Sequence, residues 1–152
     1  MTLGTVKPDG ERGSRARRLL DRVVGIPLVA VFGHLRRKRS EVPTRPKTIG
    51  VLKTAGIGDT TLLSGPLLDL RSTFPDAVIV LFSGGSNMSV ASLLEGATEV
   101  IKVPIKNIFD ARRVIKQYRF DLFLDFGPWP RLNSILTHFA DARLKVGFKT
   151  PG

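Results

Sequence analysis

The sequence predicts an α/β domain, a doubly wound parallel sheet with helices on both faces, and three observations carry that expectation. From residue 48 onward short apolar β-type runs alternate with helical stretches. The runs are continuously apolar rather than alternating, as in strands covered on both faces. Glycine-containing loops follow several of them, where a strand must hand over to a helix. The chain of 152 residues, 42% hydrophobic and 24% charged, suits one such domain and is too short for two. It contains no Cys, which excludes disulfide frameworks, thiolate metal sites and cysteine nucleophiles. His34 and His138 lack metal-ligand spacing, so no metal site is expected.

The first element is a basic tail. Residues 1–47 hold 12 Lys and Arg against 4 Asp and Glu, whereas the rest of the chain holds 12 against 9. Inside the tail lies "LLDRVVGIPLVAVFGHL", flanked by Arg15, Arg17 and Arg18 and by "RRKR" at 36–39. Its uncharged part, Val23 to Leu35, is 13 residues long, short of the roughly 20 that span a bilayer as a helix. Basic rather than small residues follow it, unlike a cleavable signal peptide. Pro27 breaks or kinks a helix here and leaves Leu19, Leu20, Val23 and Val24 on one side. Two readings stay open. Residues 1–39 form a monotopic membrane-surface segment, with arginines from residue 14 onward against anionic lipid, or the helix packs on protein. "SEVPTRPK", 40–47, reads as a linker.

The folded domain is expected over 48–152. "TIGVLK" (48–53) is the first strand, followed by a glycine turn and a helical stretch, "TLLSGPLLDLRSTF". "AVIVLFSGG" (77–85) is a second strand, followed by a short helix around "SVASLLEG". "EVIKVP" (99–104) is a third strand, and "IFDARRVIKQY" a helix with Phe109, Val114 and Ile115 facing inward. "FDLFLDFG" (120–127), the helix "RLNSILTHFA" and the strand "RLKVGF" (143–148) complete the pattern.

In such sheets ligands bind outside the carboxyl ends of the strands. The loops there are "TAGIGD", "SGGSN", "PIKN" and "DFGPWPR". The first has Thr61 where the dinucleotide fingerprint requires glycine, and no G-K-[ST] for a P-loop. Gly56 and Gly58 allow a ligand to approach the backbone, and Asp59 stands at the start of a helix. Asp59 is read in two compatible ways: as an N-cap bonded to the N–H of Thr61 or Leu62, and as a carboxylate placed to accept a proton.

"IGVLKTAGIGDTTLLSGPLLDLRSTFPDAVIVLF", continued by "LLEGATEVIKV", "FDLFLDF" and "RLKVGF", resembles the amino-terminal half of the family 9 glycosyltransferases, the group of the bacterial ADP-heptose:lipopolysaccharide heptosyltransferases. The resemblance covers about residues 48–150, and its most specific part is the succession strand, K-T-x-x-I-G-D, helix, F-P-D-A. It implies one half of a GT-B architecture, a Rossmann-like acceptor-side domain, with metal-independent, inverting transfer from a nucleotide-sugar such as ADP-heptose. It assigns Asp59 as general base on the acceptor hydroxyl and Lys53 to substrate phosphates. Gly56, Gly58 and Thr60 join the substrate-binding set, with Asp125 and Arg131 on the acceptor side. Lys53 also has a plain reading as a solvated strand-end cation, and Asp125 and Arg131 as turn or capping residues. Trp129 serves packing as readily as sugar stacking.

Two departures are expected to alter substrate choice. Ala55 and Gly56 stand where the family often has two serines, and Gly65 where it usually has proline, with Pro66 next. The family's carboxy-terminal donor domain has no counterpart in these 152 residues, so the chain reads as a fragment of the enzyme. Two functions follow: a glycosyltransferase acting on lipopolysaccharide or another lipid-linked glycan, peripheral on the inner face of the bacterial cytoplasmic membrane, or a non-catalytic membrane-surface docking module that keeps the fold. Nucleic-acid binding is not expected, because no aromatic and basic reading face accompanies the charge.

Overall fold

A computed structural model of the chain describes residues 41–127 and 130–147. The expected membrane-surface segment and Trp129 lie outside the described residues. Residues 41–47, within the expected linker, contain no helix or strand. Their end is nevertheless tied to the sheet: Lys47 N–H donates to Asp121 Oδ2 at 2.8 Å, and Val78 N–H donates to the Lys47 carbonyl at 2.8 Å.

The strands are β1 (Thr48–Lys53), β2 (Val78–Ser83), β3 (Glu99–Lys102), β4 (Arg119–Asp125) and β5 (Asp141–Gly147). They form one five-stranded sheet in the order β3-β2-β1-β4-β5, with every pairing parallel. The helices between them are α1 (Ile57–Thr61), α2 (Ser64–Thr73), α3 (Met88–Ala91), α4 (Ile108–Ile115) and α5 (Pro130–Phe139). The expected α/β doubly wound, Rossmann-like sheet is therefore the observed fold. β5 begins two residues before the expected start, at Asp141.

Continuous apolar strands produce this because alternate residues serve opposite faces. Leu52, Val80, Phe82 and Phe123 pack with Ala111 and Ile115 of α4 and Leu136 of α5. Ile49, Val51, Ile79, Leu81 and Leu122 pack on the other side with Leu63, Leu67 of α2 and Ala91 of α3. Burying each of the larger side chains contributes about 1.5–3 kcal/mol, so neither face can be left uncovered.

Two helical expectations are corrected. The stretch from 61 to 74 is not one helix: α1 starts earlier, at Ile57, and the chain re-enters α2 at Ser64 after Leu62 and Leu63. Pro66 in the first turn of α2 lacks an N–H only where helix donors have no intrahelical partner anyway, so it starts the second helix without breaking it. Phe109 does not face inward but is 76% exposed, whereas Val114 is half-buried and Ile115 buried. Asn107 caps α4, its side chain accepting from Phe109 and Asp110 N–H. With that start the spacing 108, 111, 115 meets the sheet, and Phe109 is turned about 100° away from that stripe.

Candidate functional site

Sequence order β1, β2, β3 runs outward on one side of β1, and β4, β5 on the other. The direction of winding thus reverses between β1 and β4, where open α/β sheets hold their ligands. Register sets Leu52 opposite Asp125, so β1 delivers Lys53 and Thr54 to the carboxyl edge beside the loop that leaves β4.

The two loops are locked together. Phe126 N–H donates to the Leu52 carbonyl at 2.9 Å, and Lys53 Nζ donates to the Phe126 carbonyl at 3.1 Å. Lys53 is only 5% exposed, so it is not the solvated strand-end cation of the plainer reading. A buried ammonium requires partners, and its second one is Asp59, with Oδ2 at 3.6 Å. Thr54, also buried, donates from Oγ1 to Asn133 Oδ1 of α5 at 2.7 Å.

Asp59 is not the N-cap. Gly56 takes that position, at φ +88°, and the cap has no side-chain hydrogen bond. The left-handed φ explains the first glycine of the loop, because a side chain there would be strained and its Cβ would approach Asp59 Oδ2 to 2.8 Å. Asp59 falls instead in the first turn of α1, its side chain 58% exposed at the crevice. The N-cap expectation fails because the chain turns into the helix three residues sooner than the position of Asp59 suggested. Gly58 differs from Gly56: an added Cβ there meets nothing. The fold does not require glycine at 58, which leaves its backbone open to approach from solvent. Gly56→Ala is accordingly expected to cost about 1–2 kcal/mol, and Gly58→Ala to be neutral or stabilising by up to about 1 kcal/mol. Urea unfolding of the two variants checks this, and equal losses would refute the distinction.

Thr60 is fully buried, with Oγ1 donating to the Gly56 carbonyl at 2.6 Å and accepting from Asn87 Nδ2 at 2.8 Å. Its hydroxyl shapes the glycine turn from within rather than facing the crevice. Asn87 Nδ2 also donates to the Lys53 carbonyl at 2.9 Å, so one buried amide holds both ends of the loop. Gly84 makes room for this, since a Cβ there would collide with the Thr54 carbonyl.

Asp125, half-buried, accepts from Gly127 N–H at 2.8 Å, Asn133 Nδ2 at 3.3 Å and Thr137 Oγ1 at 3.1 Å. These contacts hold it in the turn after β4 and direct it toward α5. Burial pushes its carboxyl above the usual value, opposed by those three donors and by Lys53. The native state then binds the proton more tightly than the unfolded chain, so this group's contribution is fully present below about 3.9 and is lost as pH rises through the raised value. Asp125→Asn is expected to remove that fall in stability with pH, read by denaturant unfolding across the acid range. An unchanged pH profile would contradict it. The Arg131 side chain lies outside the described residues. Sequence reasoning missed Thr54, Asn87 and Asn133, and only the position of Asn87 in a post-strand loop hinted at its part.

A parallel sheet of this order, with its switch point between β1 and β4, is a Rossmann-like α/β fold, and the structural neighbours share it. One neighbour is the crystal structure of the glycosyl transferase family 9 from Veillonella parvula, with a TM-score of 0.59 and 18% identity, covering 72% of this chain and 34% of that one. Another is E. coli heptosyltransferase WaaC with ADP, with a TM-score of 0.58 and 17% identity, covering 66% and 35%. The chain spans about a third of the length of these proteins, and at such identities the likeness is one of fold. No protein-family profile matches the sequence, and no curated protein does.

Proposed function

We propose that this chain is the acceptor-side domain of an inverting glycosyltransferase of the heptosyltransferase kind, with Asp59 as the general base. The observation that carries the reading is the position of Asp59: an exposed carboxylate at the switch point, oriented by a buried lysine at 3.6 Å. Asp59 takes the proton of the acceptor hydroxyl as that oxygen attacks the sugar carbon, and the nucleoside diphosphate leaves from the opposite face. One carboxylate suffices for this single displacement, which inverts the carbon. Gly58 leaves space for the acceptor beside that carboxylate. The nucleotide-sugar, for which the ADP of the E. coli neighbour is the precedent, meets a second α/β domain across the crevice. No metal takes part in the proposed reaction, and diphosphate departure relies on protein cations.

The acceptor is a lipopolysaccharide or other lipid-linked glycan on the inner face of the cytoplasmic membrane, reached through the basic residues of 14–39. Among the described residues no helix is long and apolar enough to cross a membrane. A nucleotide-sugar of defined anomeric configuration, incubated with the full-length protein and a core oligosaccharide, should give product of inverted configuration. Retention at that carbon would refute the single-carboxylate mechanism. The non-catalytic docking module would give no product at all.

A further inference from the structure

Basic residues gather in one stretch of the folded domain's sequence; Arg112, Arg113 and Lys116 lie on α4 or at its end, while Arg119, at the start of β4, is paired with Asp141 at 3.4 Å. Between Lys102 and Arg119 the sequence holds six Lys and Arg against the single acid Asp110, whereas the remaining residues from 48 onward hold six against eight. That segment is built around α4, which buries Ala111 and Ile115 against the sheet and turns Phe109 outward, 76% exposed. Phe109 shares a shallow groove with Arg112, Arg113, Lys116 and Gln117. Arg112 lies over the Phe139 ring, 4.8 Å from its centroid, which fixes its guanidinium at the inner margin of the groove. The one acid of that segment is engaged locally, Asp110 Oδ2 accepting from Asn107 Nδ2 at 2.7 Å.

We propose that this α4 face is a second membrane-docking surface, one that seats on anionic phospholipid headgroups. An exposed aromatic ring or a group of cations alone is ordinary surface. Together they match the headgroup region, where phosphates meet the cations while the ring leaves water. A soluble polyanion would use the cations and leave Phe109 in water. The opposite layer of the sheet also exposes apolar side chains, Leu68 and Leu93, but carries the acids Asp69 and Glu95, and its Arg71 is engaged with Thr98 and backbone carbonyls. An anionic bilayer therefore distinguishes the two sides and draws in α4. The inference is separate from the chemistry proposed for Asp59 and adds a contact within the folded domain to the one assigned to residues 14–39.

Because the chain has no Cys, Phe109→Cys and Leu93→Cys each carry a single environment-sensitive nitrobenzoxadiazole label in the full chain. With phosphatidylcholine–phosphatidylglycerol vesicles, the label at 109 should shift to shorter wavelength and be quenched by lipid spin-labelled near the headgroup. The label at 93 should do neither. The double variant R113Q/K116Q, altered only at exposed positions, should partition onto the same vesicles roughly twenty-five-fold more weakly, about fivefold per cation removed. The proposal is overturned if the chain sediments with vesicles while the label at 109 stays aqueous, which would leave residues 14–39 as the sole contact. It is equally overturned if both labels respond alike, or if the label at 109 responds to a soluble polyphosphate and not to vesicles.

Discussion

Asp59→Asn is expected to lower sugar transfer by about 10²–10⁴-fold, the usual contribution of a positioned general base, while acceptor affinity stays within a few fold. The amide keeps the shape of the carboxylate and an oxygen that can still face Lys53 Nζ, which lies 3.6 Å from Oδ2. It cannot take a proton. Because Asp59 is 58% exposed and the cap of α1 makes no side-chain hydrogen bond, the variant should fold as the parent does. Loss of rate without loss of binding then identifies a base, whereas parallel losses of both would identify a residue that merely holds the acceptor. Turnover at the parent rate would remove Asp59 from the mechanism.

The second large effect falls on stability. Asn87→Ala should destabilise the chain by about 2–4 kcal/mol, because two buried hydrogen bonds disappear and their partners stay buried. Those partners are the Lys53 carbonyl and Thr60 Oγ1, at 2.9 and 2.8 Å, and Asn87 itself is fully buried. The same amide sets the distance between the end of β1 and the start of α1, so the variant should also displace Asp59 and weaken transfer at temperatures where it remains folded. Urea unfolding gives the first number. A loss below about 0.5 kcal/mol, the scale of an ordinary surface change, would show that the loop is held in some other way.

These two residues also mark what is legible in a sequence of this kind. Asp59 stands out because it follows two glycines where an apolar run gives way to a helix, although its residue type alone fits an N-cap as well as a base. Asn87 does not, since its partners are 34 and 27 residues away and only its place in a post-strand loop hints at its part. Asn133, bonded to Thr54 from 79 residues away, is hidden for the same reason. The strands were readable where continuous apolar runs set their limits, as for β1, which spans the expected Thr48–Lys53. Their spatial order was not readable from alternation, because parallel pairing is non-local. Phe109 was assigned to the wrong face because a period of 3.6 leaves the phase of a short helix open, and Asn107 fixes that phase by capping. Lys53 was legible as a strand-end cation, but its burial depends on the Phe126 carbonyl, 73 residues further on.

The central claim is that the switch point between β1 and β4 binds a saccharide acceptor, and titration of the isotopically labelled chain with a water-soluble, phosphorylated lipopolysaccharide core oligosaccharide tests it most directly. Backbone amide shifts should concentrate at Gly56, Gly58 and Asp59 and at Phe126 and Gly127, with Gly58→Ala weakening the response. Shifts confined to the α4 groove, or none in the two loops at saturating oligosaccharide, would contradict the assignment of an acceptor site to this crevice.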